Sequence, residues 1–214
     1  FPVETHISVI HDHNGEVIGS IEVFRDITHQ EEFRILQEKF NGLIRKYVSN
    51  KTFSEIYSRL SSSTLTNEPH LTDLTVMYLD IVGFTGFSER HTPTQVVQML
   101  NELFGVCEVI TKECFGDIDK FIGDAVMAVF VDADDAIRSA LKILNTGLPE
   151  LNKLRLCNNE EAISIRIGIN SGIVVQGDVG SSERMDLTVI GDTVNTAARI
   201  EKQAPQNREI GRAS

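Results

Sequence analysis

The chain opens on alternation. Residues 7–28, ISVIHDHNGEVIGSIEVFRDIT, place apolar side chains at about every second position, the period of a half-buried strand. Asn14-Gly15 separates the two runs, and both residues tolerate positive φ, so the stretch predicts a β-hairpin. Two strands alone are marginally stable at best, so they read as the end of a larger domain. Near residue 28 the period changes. Phe33, Leu36, Phe40, Leu43 and Tyr47 recur at alternating steps of three and four, with polar and charged residues on the other faces. That heptad-like stripe predicts a helix, one that either pairs with a second copy as a parallel coiled coil or packs as a short amphipathic helix on its own domain. The run SSSTLTNEPH, residues 61–70, then breaks the pattern as a loop.

A third zone starts near Leu71. LTVMYLDIV (74–82) predicts a strand, and residues 92–116 a helix with Thr92 as N-cap, Pro93 in its first turn and Gly116 after its end. GDIDKFIGDAVMAVFV predicts two strands meeting at Gly123-Asp124. DADDAIRSALKIL predicts a helix capped by Asp132, with Asp134 and Asp135 at its positive end. AISIRIGINSGIVVQGDVG predicts two strands around Ser171-Gly172, and DTVNTAARIEKQ a last helix with Asp192 as its N-cap. The order strand–helix–strand–strand–helix–strand is that of an α+β, ferredoxin-like fold, an antiparallel sheet with helices on one face.

Composition narrows the classes. A chain of 214 residues, 41% hydrophobic and 24% charged, has the balance of a soluble globular protein. The net charge of −11 argues against a nucleic-acid binder, and it means that a polyanionic substrate needs a metal ion or a few well-placed cations. Cys107, Cys114 and Cys157 lack metal-ligand spacing and read as reduced thiols of a cytoplasmic protein. No apolar run approaches the ~20 residues of a membrane helix. The first residue is Phe1 rather than Met, which reads as a fragment, so any membrane attachment would come from upstream regions.

Against this background a few polar residues stand out. Asp80 lies inside an apolar strand and Asp124 at the turn of the central hairpin, elements that neighbour each other in a ferredoxin-like sheet. Two carboxylates brought together repel unless a proton or a cation lies between them, and beside a phosphate substrate Mg²⁺ meets that need. GFTGFS (83–88) follows the strand, and the N–H groups of Phe84 and Thr85 suit a triphosphate. Lys120 sits in an apolar strand four residues before Asp124. Asn195 and Arg199, at i and i+4, share one face of the last helix, where a guanidinium suits a phosphoryl transition state.

Three segments, MYLDIVGFTGFSE, DKFIGDAVMAVF and DLTVIGDTVNTAARIE, together resemble the class III nucleotidyl cyclase catalytic domain over about residues 72–204. GEVIGSIEVFRDITHQEE resembles the last strands of a PAS sensor domain. The implied organisation is the end of a PAS-like domain (1–28), a helical signalling linker (29–60), a loop (61–71) and a cyclase catalytic domain (72–214). The first resemblance implies Asp80, Asp124 and the Ile81 carbonyl as ligands of two Mg²⁺ or Mn²⁺ ions, Lys120 and Thr188 as the purine-reading pair, and Asn195 and Arg199 as the transition-state pair. It implies a homodimer with two equivalent sites, each taking its metal aspartates from one chain and its base-reading and transition-state residues from the partner. Lysine donates to adenine N1 and threonine can accept from N6, whereas guanine would want an acid at position 120; ATP is therefore the expected substrate and cyclic AMP the product. Thr188 also resembles a subgroup often responsive to bicarbonate.

The resemblance has departures. Relatives continue past the last helix with a strand pair carrying a phosphate-contacting lysine, and QNREIGRAS matches nothing of that kind, so the domain reads as incomplete at its C-terminus. Arg184 is a candidate phosphate contact. Asp117, Asp119, Asp178 and Asp186 read as turn or cap residues. The alternatives are a guanylate cyclase, disfavoured by Lys120; a diguanylate cyclase, whose Gly-Gly-Asp/Glu-Glu-Phe signature is absent; and a non-catalytic dimerisation or nucleotide-sensing module.

Overall fold

A computed structural model describes residues 1–62, 68–181, 183–207 and 209–213. The chain divides into two units, Phe1–Val48 and Ser49–Ser214.

The first unit is a hairpin and a helix. β1 (Val3–His11) pairs antiparallel with β2 (Val17–Asp26). Asp12 closes the turn, its Oδ1 accepting from the N–H groups of Asn14 at 2.8 Å and Glu16 at 2.9 Å. Asp26 Oδ1 accepts from Thr28 N and Oγ1, which starts α1 (Thr28–Tyr47). All five residues of the heptad-like stripe are exposed, from Leu43 at 55% to Tyr47 at 84%. The helix expected over 28–60 comes as two. Val48 is extended (φ −128°, ψ 153°), and Ser49 Oγ then accepts from Thr52 N at 3.1 Å at the start of α2 (Asn50–Ser62). The expected loop falls mainly on residues 63–67, outside the described residues.

The second unit holds the sheet. Its strands are β3 (His70–Ile81), β4 (Asp117–Ile122), β5 (Ala125–Phe130), β6 (Ile165–Gly180), β7 (Met185–Ile190) and β8 (Glu209–Ala213). The order β4-β5-β3-β6 is antiparallel throughout and matches the expected ferredoxin-like arrangement. β7 continues it along the far half of β6, and β8, from the segment that matches no expected pattern, adds parallel to β6. The two strands expected around Ser171-Gly172 are one. Both residues pair with β3, Ser171 with Thr75 and Gly172 with Leu74, and Thr75 Oγ1 lies 2.8 Å from Ser171 Oγ, so ladder pairing overrides the local turn chemistry.

The helices are α3 (Phe84–Arg90), α4 (Pro93–Glu113), α5 (Ala133–Lys142), α6 (Leu148–Cys157) and α7 (Asp192–Gln203). Thr92 caps α4 in a full capping box with Gln95, and Asp132 caps α5, as expected. A π-helical turn, Ile143–Gly147, leads into α6, which the sequence pattern does not reveal. Strand alternation divides the core. Met77, Leu79 and Ile81 of β3 pack with Met99, Leu103 and Cys107 of α4, Ala136 and Ala140 of α5, and Leu148 and Leu151 of α6. Leu74 and Val76 turn to the opposite face and pack with Val194 and Ala197 of α7. The two helices of the six-element unit thus share one face, and α7 covers the other. Gly168 makes that approach possible: a Cβ there would stand 2.2 Å from Glu201 N and 2.5 Å from the Ala197 carbonyl.

Candidate active site

Asp80 lies between Leu79 and Ile81, which face the α4 side, so the pleat turns its carboxylate to the α7 side. There it stands directly across the ladder from Arg166 of β6, whose Nη2 is 3.2 Å from Asp80 Oδ2. Arg166 Nε is also 3.2 Å from Oε1 of Glu201 on α7, close enough for an ion pair but not aligned as a hydrogen bond. The Glu201 side chain is only 4% exposed, and burial, then the Asp80 charge, raises its pKa. Asp124, in the β4–β5 turn, reaches the same place. Burial and the charge of the neighbouring Asp80 carboxylate push its pKa up to about 6.

Three acids around one guanidinium leave an excess of negative charge. That excess suits a divalent cation. Among the described residues no group of three or more His, Cys, Asp or Glu side chains is placed to hold a metal. Two aspartates and the carbonyl of Ile81, the last residue of β3, leave further positions to water and phosphate oxygens, the coordination Mg²⁺ prefers. The donor set fits the metals implied by the sequence resemblance.

Gly83 follows with φ 76°, a left-handed conformation that costs glycine little, and turns the chain straight into α3. Phe87 N is the first to bond back, to the Gly83 carbonyl, so the N–H groups of Phe84, Thr85 and Gly86 have no intrahelical acceptor. The Phe84 ring packs on the core and Thr85 is exposed.

Lys120 and Thr188 come together from distant segments. β7 pairs with β6 from Val175 to Gly180, largely beyond the point where β3 begins opposite Gln176, and Thr188 there meets β4. Thr188 Oγ1 donates to Asp119 Oδ2 at 2.8 Å, and Lys120 Nζ stands 2.5 Å from Asp186 Oδ2 and 3.7 Å from Asp119 Oδ2. Asp117, Asp119, Asp178 and Asp186 are therefore strand residues rather than turn or cap residues. Asp192 opens α7 as its first residue, behind Gly191, which holds the cap position and has no side chain to cap with.

Asn195 and Arg199 are exposed on α7, and among the described residues neither side chain has a hydrogen bond or ion pair within the chain. Arg184 is exposed in the β6–β7 connection, where its N–H donates to Ser181 Oγ at 3.3 Å. Sequence reasoning misses Arg166, Glu201 and Asp119 as members of these clusters. Arg166, a cation between Ile165 and Ile167, carries the same signal as Lys120. Of the cysteines, Cys107 and Cys114 are buried and Cys157 is exposed, and burial pushes the Cys107 thiol up to about 12.

Residues 66–210 match the family model for the adenylate and guanylate cyclase catalytic domain. The chain is 35% identical over 178 residues to an adenylate cyclase of Anabaena cylindrica, an alignment covering 78% of this chain and 35% of that protein, so it spans about a third of that relative. Among solved structures it resembles a bacterial light-regulated adenylyl cyclase (TM-score 0.68, 31% identity, 83% of this chain and 52% of that one). It also resembles the guanylyl cyclase Cya2 (TM-score 0.61, 30% identity, 67% and 76%). With the ferredoxin-like sheet, the Asp80–Asp124 pair and these matches together, the chain belongs to the adenylate and guanylate cyclase catalytic domain family.

Proposed function

We propose that this chain is the catalytic part of an adenylate cyclase, converting ATP to 3′,5′-cyclic AMP and pyrophosphate at the interface of a homodimer. The observation that carries the reading is the pairing of two clusters. One is a carboxylate pair suited to a divalent cation, and the other sets a lysine beside a threonine. In the reaction the ribose 3′-oxygen forms a bond to the α-phosphorus as the bond from that phosphorus to the α–β bridging oxygen breaks. Pyrophosphate leaves with the electron pair, and the hydroxyl proton passes to water or a substrate phosphate.

Asp80, Asp124 and the Ile81 carbonyl hold two Mg²⁺ or Mn²⁺ ions. When bound, these supply the Lewis acidity that lowers the 3′-hydroxyl pKa and offsets triphosphate charge. The first N–H groups of α3, at Phe84 and Thr85, face phosphate oxygens, and Arg184 is a further phosphate contact. Lys120 donates to adenine N1, and Thr188 accepts from N6. Asn195 and Arg199 orient and neutralise the α-phosphoryl group in the transition state. Their exposure, and their lack of partners among the described residues, suit a site completed by a second chain, and an isologous dimer then has two such sites.

The hairpin β1–β2 is the end of a PAS-like sensor, and α1 pairs through its exposed stripe with α1 of the second chain, so that the sensor acts on the cyclase of a cytoplasmic enzyme. Among the described residues no helix is long and apolar enough to cross a membrane. Product analysis with ATP or GTP and Mn²⁺ tests the substrate. Cyclic AMP from the wild type, and none from Asp80→Ala, is the expected result; cyclic GMP as the main product would overturn it.

A further inference from the structure

β4 carries a β-bulge. Ile118 pairs with Ala128 and Lys120 with Met127, so Asp119 is the extra residue between them. In a regular strand consecutive side chains point to opposite faces, so Asp119 and Lys120 would diverge. A bulge re-aims them, and here both reach β7, Asp119 to Thr188 and Lys120 to Asp186. On β7, Leu187 and Val189 are buried, while Asp186 and Thr188 share the other side.

The hydrogen bond from Thr188 to Asp119 has a consequence for the base. A threonine hydroxyl carries one hydrogen and two lone pairs, and left to itself it donates or accepts as a ligand requires. It does not by itself discriminate adenine from guanine. An ionised carboxylate accepts only. The Asp119 side chain is 9% exposed and Thr188 is 8% exposed, so water does not readily replace either partner. Once the Thr188 hydrogen is committed to Asp119, only lone pairs remain for a ligand. Those match the N6 amino group of adenine and oppose the O6 carbonyl of guanine.

We propose that Asp119 is a specificity-determining positioning residue, which locks the Thr188 hydroxyl as an acceptor and so selects adenine over guanine. The inference rests on the reading above that Lys120 and Thr188 hold the purine. Asparagine in place of Asp119 keeps the shape but adds a donor. With its amide nitrogen toward Thr188, the hydroxyl is free to turn and donate to guanine O6.

The test is the ratio of kcat/KM for ATP to that for GTP, measured with Mn²⁺ on the dimeric chain. Asp119→Asn should lower the ratio about tenfold, the scale of discrimination by one buried hydrogen bond. Thr188→Val should lower it as well, and Thr188→Ser, which keeps the hydroxyl, should hold it. In the Thr188→Val background Asp119→Asn should change it less than about twofold, because the two residues act as one unit. An unchanged ratio in Asp119→Asn, or equal losses with both nucleotides, would overturn the proposal. An unchanged ratio in Thr188→Val would do so even if the Asp119 variant failed to fold. A wild type that prefers GTP or makes no cyclic nucleotide would instead remove the underlying reading, and the proposal with it.

Discussion

Arg166 and Asp80 face each other across the β3–β6 ladder, with Nη2 3.2 Å from Oδ2, and the same guanidinium lies 3.2 Å from buried Glu201. That guanidinium thus serves an acidic cluster that also contains Asp124. Arg166→Ala should cost about 2 kcal/mol without divalent cation, because removing the guanidinium strands the buried Glu201 and the half-buried Asp80, and Tm should fall by roughly 4–8 °C. Added Mn²⁺ should recover more of that loss than it adds to the wild type. Thermal unfolding with and without Mn²⁺ checks this, and an equal response in both proteins would contradict it.

Asp124 gives the cluster a pH signature. Its folded pKa of about 6 lies above the ordinary 3.8, so between those values the folded state holds a proton that the unfolded state has released. The contribution of this group to stability is therefore full below about pH 4 and is lost as pH rises through about 6. In metal-free protein, Asp124→Asn should flatten that part of the profile of Tm against pH. Mn²⁺ should raise Tm more at pH 7.5 than at pH 5, where the proton competes with the metal.

Lys120→Glu tests the purine pair, with a complication the structure supplies. The new acid would stand beside Asp119 and Asp186, the carboxylates that now surround the ammonium. The single substitution should lower kcat/KM for ATP about a hundredfold without a matching gain for GTP. Adding Asp186→Asn should relieve the repulsion and raise GTP turnover. Steady-state kinetics with both nucleotides separates the two effects.

Arg199→Ala should lower kcat by a factor of about 10²–10³ if the guanidinium meets charge that develops only in the transition state. Because the side chain is exposed, Tm should stay within about 1 °C of the wild type. A fall in Tm alongside activity would instead make Arg199 a structural residue.

The sequence pattern carries much of this site, and its failures have physical causes. Asp80 is legible as an acid in an apolar strand, and alternation around Leu79 and Ile81 even gives its face. Arg166 offers the same signal, but its meaning depends on the β3–β6 register, which no local pattern contains. Asp119 reads as a turn residue because a bulge breaks the period of two, and its partner Thr188 lies 69 residues away. Ser171-Gly172 has turn chemistry that β3 pairing overrides. Helix α6 hides behind Gly147 and Pro149, which look like breaks; Pro149 falls in the first turn, where its missing N–H costs nothing.

The central claim is a site assembled from two chains, and mixing inactive variants tests it most directly. On the proposed reading Asp80→Ala lacks a metal-holding group and Arg199→Ala a transition-state group, so each variant's homodimer should be inactive. In a mixed dimer, one of the two sites joins the intact Asp80 of one chain to the intact Arg199 of the other. Cyclic AMP formation after mixing equal amounts should reach about a quarter of the wild-type rate, since half the dimers are mixed and each has one complete site of two. No recovery, with mixed dimers demonstrated in the sample, would contradict the shared site.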